Sequence, residues 1–333
     1  MPALLDPIKI GSLRLKNRIV MPPMATGMAT IGGEVTEKLI SHYVRRAKAL
    51  GLLIVEHSYV ERGGKLALHQ LGVFDDSLIP GLTRLAKKVH GVNTPVAIQI
   101  NHAGRLAASE ICGTQPVAPS PIPHSKEHET PRELSKKEIE ALGEAFGSAA
   151  ERAVESGFDA VEIHGAHGFL LNQFLSPLSN KREDEYGGNL EDKMRFPLQV
   201  VAQVKAKIGD FPLLYRLGAD DMQPGGLSLR ESKVVAQRLV EEGVNAIDVS
   251  GGLVGSRPER LQGTQGYYVP LAEEMKSVVD VPVIGVGGIR SPEFANEVIV
   301  KGRVDLVAVG RAMLADPDWA SKAVDVLRKA SGR

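Results

Sequence analysis

Short apolar and β-branched runs bounded by Gly, Pro or Asn recur along the chain, each followed by a longer stretch with helical spacing. About eight runs meet the length and flanking-residue criteria. They are 19–24 (IVMPPM), 52–60 (LLIVEHSYV), 95–102 (PVAIQINH), 160–164 (AVEIH), 212–218 (PLLYRLG), 246–251 (AIDVSG), 281–287 (VPVIGVG) and 306–310 (LVAVG). Most are apolar on both faces, as strands of a buried parallel sheet are. Amphipathic segments separate them, among them 36–50, 135–156, 228–242 and 291–301. Two of these open on a capping box, Ser135 to Glu138 and Ser228 to Glu231, ahead of an apolar-periodic run.

Strand and helix alternate to the end of the chain, and no linker divides it. Alternation at this length predicts an α/β fold, a closed (β/α)₈ TIM barrel in one domain over 1–333, since such barrels take about 250 residues before insertions. An open sheet fits less well. The stretch 105–132, with its PVAPSPIPHS, reads as a long loop inserted after the third strand, on the face where barrels carry chemistry.

Composition narrows the function classes. Lys+Arg and Asp+Glu number 40 each, so no overall field draws the chain to nucleic acid or an anionic membrane. The one cysteine, Cys112, forms no intrachain disulfide and no multi-cysteine metal site, which points to a reducing compartment. The first residues, MPALLDPIKIGSLRLKNRIV, are too often interrupted by charge for a signal-peptide core or a membrane span. A cytoplasmic protein with neither membrane nor nucleic-acid partner is expected.

Barrel active sites form at the C-terminal ends of the strands. That rule nominates 23–26, His57, 99–102, 164–167, Arg216, Ser250 to Gly252, Gly287 with Gly288, and Gly310 with Arg311. Glycines at the last two strand ends, with Arg311 beside Gly310, suit a phosphate cup, although tight turns alone would also use them. No GxGxxG opens the first βα unit, which disfavours a dinucleotide-binding Rossmann domain. His164 and His167 form the sharpest polar pair, able to converge on a substrate oxygen if the strand ends near His164 and His167 lies on the turn. They also read as two structural histidines or as part of a metal site, though no third ligand is evident and no metal is expected. Gln99 and Arg216 put hydrogen-bonding groups where the cavity would be, to meet either a polar-edged ring or protein partners: a backbone group for Gln99, Asp220 or Asp221 for Arg216.

In order and spacing, KNRIVMPPM, QINHAGR, VEIHGAHGFLLNQFLSPLSNKREDEYGGNLEDKMRF, YRLG, GVGGI and VGRAML resemble the old yellow enzyme family of FMN-dependent ene-reductases over nearly the whole chain. The resemblance implies FMN as cofactor, NADH or NADPH as reductant, and ping-pong hydride transfer to the C=C bond of an α,β-unsaturated carbonyl compound. It implies that Pro22, Pro23, Met24, Ala25 and His57 lie along the flavin, His57 following the second strand. Gln99 and Arg216 would meet the pyrimidine edge. Ser250, Gly251 and Gly252 would join the cofactor site, and Gly287, Gly288, Gly310 and Arg311 would hold the phosphate. His164 and His167 would donate to the substrate carbonyl. A homo-oligomer is expected by the same likeness.

The chain departs from the family pattern at the proton donor, where the usual tyrosine is Phe169. Tyr267, Tyr268 or His57 substitutes as the acid, or water supplies the proton, or the chemistry differs. Ala25 replaces the usual cysteine or threonine, and Lys193 stands where arginine is commoner. MPPMATG and YRLG are similar to the barrel domains of 2,4-dienoyl-CoA reductase and trimethylamine dehydrogenase, which raises a second expectation: a reductase of unsaturated or aromatic acyl-CoA thioesters. Without a cysteine cluster, electrons are expected directly from NAD(P)H or from another protein. A metal-dependent hydrolase and a non-catalytic flavin carrier are the remaining rivals.

Overall fold

A computed structural model describes residues 3–330. Eight strands carry the sheet: β1 (Ile19–Met21), β2 (Leu52–Tyr59), β3 (Val96–Asn101), β4 (Ala160–Gly165), β5 (Leu213–Gly218), β6 (Ala246–Ser250), β7 (Val283–Gly285) and β8 (Leu306–Ala308). All pair in parallel, neighbour to neighbour, and β8 pairs with β1, so the barrel closes. Every run identified from the sequence supplies one strand. The first is shorter than its run because Pro22 and Pro23 have no N–H for the ladder.

Helices follow the strands on the outside: α1 (Glu37–Ala47), α2 (Ile79–His90), α3 (Lys136–Glu155), α4 (Leu190–Ile208), α5 (Leu229–Glu241), α6 (Val269–Lys276), α7 (Pro292–Val300) and α8 (Trp319–Ala330). Both capping boxes form, at the starts of α3 and α5. The insertion after β3 contains a short helix, Ser109–Cys112, and a two-residue strand, Val117–Ala118, that pairs with Arg132–Glu133. No helix of the described residues is long and apolar enough to cross a membrane.

The core divides by face. Strand residues pointing outward pack with the helices, while Val20, Leu52, Ile54, Ala97, Ala160, Leu214, Ala246, Ile284, Leu306 and Ala308 fill the lower barrel interior. A hairpin of Ile8–Ile10 and Leu13–Leu15 precedes β1, and its Ile10 and Leu15, both fully buried, join that interior cluster as a floor. Two residues further along four of the strands, the inward positions turn polar: Gln99, Glu162, Arg216 and Asp248. Apolar layers below therefore support a polar layer directly beneath the C-terminal mouth.

Candidate active site

A cleft of about 490 Å³ opens at that mouth. Of the residues nominated from the sequence, Pro22, Pro23, Met24, Ala25, His57, Gln99, His164, His167, Phe169, Arg216, Ser250, Tyr267, Tyr268, Gly287, Gly288, Gly310 and Arg311 all line it. Gly251 and Gly252 do not; they give space to the Tyr268 hydroxyl and the Asp221 carboxylate, which a Cβ at either would strike.

The histidine pair meets its geometric condition. β4 ends at Gly165, and His167 follows in the turn with φ 58°, a left-handed value that histidine tolerates better than branched residues do. The two rings stand edge to face with centroids 5.0 Å apart. Burial, reinforced by neighbouring cationic groups, holds both imidazoles well below the usual histidine range, so both are neutral at pH 7. The Ala166 N–H donates to Nδ1 of His164 at 3.3 Å, leaving Nε2 to carry the proton. Ser250 Oγ pairs with Nε2 of His167 at 2.7 Å, which leaves Nδ1 for a ligand.

His57 adds a third imidazole. It lies inside β2 rather than after it, where the register with β3 slips between Val55 and Ser58, an irregularity of the kind that re-aims side chains near active sites. Gln70 Nε2 donates to its Nδ1 at 2.8 Å, and Leu66 N–H fixes the amide by donating to Gln70 Oε1 at 2.7 Å. Burial pushes His57 down to about 4. Its ring centroid is 5.2 Å from that of Phe169 and 6.3 Å from that of His164.

The expected partners of Gln99 and Arg216 are corrected by the fold. Gln99 Nε2 donates to Glu162 Oε1 at 2.8 Å, not to a backbone group, and Arg216 Nε lies 3.4 Å from Asp248 Oδ2, not beside Asp220 or Asp221. Glu162 and Asp248 escaped sequence reasoning, as did Glu56. The signal was present: each is an acid inside an apolar strand, in VEIH, AIDVS and IVEH. Glu56 is buried on β2, accepts from the backbone N–H and hydroxyl of Thr26, and burial pushes it up to about 7. It anchors the chain just beyond Ala25. Tyr267 and Tyr268 line the cleft, but their hydroxyls donate to the carbonyls of Ser256 at 2.8 Å and Gly255 at 2.5 Å, and burial raises both above the usual phenol range.

FMN is a flat, polar-edged ring with an anionic tail, and the cleft fits both parts. Arg216 lines the cleft, and its Nε faces Asp248 at 3.4 Å without forming a hydrogen bond, so the protein leaves the guanidinium short of acceptors. Gly287 and Gly288 have φ of 120° and 64°, and a Cβ at Gly287 would stand 2.8 Å from the Tyr268 nitrogen. At Gly310 a Cβ would stand 2.8 Å from Met24 Sδ. Arg311, whose Nη2 donates to the Tyr267 hydroxyl at 3.3 Å, adds positive charge where these glycines bring backbone close. Among the described residues, no group of three His, Cys, Asp or Glu side chains is gathered for a metal ion.

Residues 3–329 match the model of the NADH:flavin oxidoreductase / NADH oxidase family. The chain is 46% identical over 329 residues to an NADH oxidase of Thermoanaerobacter brockii, covering 97% of this chain and 50% of that protein. It superposes on a 2-naphthoyl-CoA reductase complexed with 2-naphthoyl-CoA with a TM-score of 0.93 at 26% identity, over 97% of this chain and 52% of that one. The old yellow enzyme homologue of Zymomonas mobilis gives a TM-score of 0.85 at 27% identity, over 98% and 93%. The chain thus spans about half the length of the first two of these relatives. Family match, barrel and cleft agree: the chain belongs to the NADH:flavin oxidoreductase / NADH oxidase family, the old yellow enzymes and their kin, whose members use FMN and NADH or NADPH.

Proposed function

We propose that this chain reduces the activated C=C bond of α,β-unsaturated carbonyl compounds, with NADH or NADPH as reductant in a ping-pong sequence. The observation that carries the reading is the neutral pair His164 and His167, with ring centroids 5.0 Å apart, in the cleft that Gln99 and Arg216 also line. FMN, when bound, supplies the hydride-transfer chemistry. Gln99 and Arg216 hold the polar edge of its ring, and Gly287, Gly288, Gly310 and Arg311 hold its phosphate. Nε2–H of His164 and Nδ1–H of His167 donate to the substrate oxygen. Both donors are fixed before substrate arrives, so negative charge growing on that oxygen is stabilised without reorganisation.

A second substrate class, unsaturated or aromatic acyl-CoA thioesters, is favoured by Phe169 and by the likeness to the 2-naphthoyl-CoA reductase. Its acceptor oxygen needs the same two donors. Anaerobic stopped-flow mixing of the NAD(P)H-reduced holoprotein with cyclohexenone and, in parallel, a dienoyl-CoA separates the classes by which one reoxidises it. Replacing both histidines, His164→Ala with His167→Ala, leaves FMN bound and slows reoxidation by about 10²-fold or more, on the scale of lost oxyanion donors. Reoxidation at the parent rate would remove the carbonyl-donor assignment.

A further inference from the structure

The polar layer under the cleft is an unusual construction for a barrel interior. Gln99, Glu162, Arg216 and Asp248 sit on adjacent strands β3 to β6, with Gln99 opposite Glu162 and Arg216 opposite Asp248 in register. Glu162 and Asp248 are fully buried and reach no cleft surface, whereas Gln99 and Arg216 line it. Two carboxyls thus share one guanidinium. Glu162 Oε2, both Asp248 oxygens and Arg216 Nε have no hydrogen-bond partner. Packing alone does not ask for this, since the layers below are apolar and an under-satisfied buried carboxyl costs stability.

We infer that Glu162 and Asp248 are positioning residues that set the orientation of Gln99 and the net charge around Arg216, and through them the reduction potential of the bound flavin. The inference rests on the FMN reading above. One guanidinium balances one carboxylate, and Asp248, 3.4 Å from Arg216 Nε, is the one it balances: burial raises the Asp248 carboxyl and the guanidinium opposes that rise. Burial and the neighbouring Asp248 charge push Glu162 well above the usual carboxylate range, so Glu162 keeps its proton. Glu162 also takes the Nε2 of Gln99, which leaves Oε1 free to accept an N–H from a ring in the cleft. Asp248 damps the positive field of Arg216, and so holds the potential below the value that a bare guanidinium would give.

The test is the midpoint potential of wild-type, Asp248→Asn and Glu162→Gln holoproteins, read anaerobically against reference dyes. Asp248→Asn removes a negative charge and is expected to shift the equilibrium toward reduced flavin by about tenfold, equal to ~30 mV for a two-electron couple. By linkage, the variant's preference for reduced over oxidised FMN rises by the same factor. Glu162→Gln exchanges one neutral group for another and keeps an acceptor for Gln99, so its equilibrium between reduced and oxidised flavin stays within about threefold of wild type. It also loses an infrared band of a protonated carboxyl that wild type shows, a readout that decides the charge assignment even where Asp248→Asn does not fold. An unchanged or lowered potential in Asp248→Asn overturns the inference, as does a tenfold shift or an unchanged infrared spectrum in Glu162→Gln. A wild-type protein that takes up no FMN overturns the functional reading and this inference together.

Discussion

Phe169 packs against His164 and His57, with ring centroids 4.4 Å and 5.2 Å away, and the proposed alkene reduction needs a proton as well as a hydride. Phenylalanine has none to give. The hydroxyls of Tyr267 and Tyr268 are already committed to backbone carbonyls. His57 differs from them. Its Nδ1 accepts from Gln70 and its Nε2 has no partner among the described residues, but burial keeps the ring neutral, and the N–H of a neutral imidazole is a hydrogen-bond donor and not an acid near pH 7. Phe169→Tyr, which puts a phenol where the chain has no acid, is therefore expected to speed reoxidation by an enone, by up to about 10²-fold on general-acid magnitudes, without changing reduction by NAD(P)H. Stopped-flow traces in H₂O and D₂O check this, and an unchanged rate with an unchanged isotope effect would show that proton delivery does not limit the step. His164, His167, Gln99 and Arg216 were legible in the sequence because polar residues at strand ends contradict their apolar surroundings. Their partners were not. Glu162 is 63 residues from Gln99, and only closure of the barrel makes them neighbours.

Helix starts show what a local signal conveys without tertiary help. Ser135 and Glu138 form a reciprocal cap at α3, and Arg132, at the end of the long insertion, places both Nη atoms on the same carboxylate at 2.9 and 2.7 Å. Arg132, and then the Ser135 hydroxyl, pull Glu138 down to about 2. The cap thus fastens the insertion as well as starting the helix. Glu138→Ala is expected to cost about 1 kcal/mol in urea unfolding, the usual worth of an N-cap, and to speed proteolysis within 105–132. Protection of that loop at the wild-type level would show that other contacts hold it. Both caps were readable because their residues lie within four positions of each other. The slip in register at His57 was not, because the backbone of LLIVEHSYV reads as one unbroken strand until its pairing with β3 is known.

At the scale of the whole molecule, Glu56 links stability to pH. Its carboxyl titrates at about 7 in the fold against 4.5 ordinarily, so the folded state holds the proton more tightly than the unfolded chain does. The stability this gives is complete below pH 4.5 and is lost as pH rises to 7. It amounts to about 3 kcal/mol by linkage. Glu56→Gln removes the dependence, so wild type minus variant, from urea midpoints across that window, is expected to fall with pH; a flat difference would mean an unshifted carboxyl. Subtracting the variant cancels the neutral histidines His57, His164 and His167, whose lowered values act in the opposite direction. Barrel closure itself was legible, because eight apolar runs alternating with amphipathic segments leave few other ways to bury both faces of each strand. The floor was not, since nothing in IKIGSLRL says which end of a barrel it will seal. That floor has a consequence in time. Ile10 and Leu15 leave the ribosome before any of the strands that enclose them, and their seat is complete only when β8 closes against β1. A hairpin made ahead of every barrel strand is thus among the last elements to dock, and amide exchange at Ile10 during refolding would act as a clock for closure of the ring.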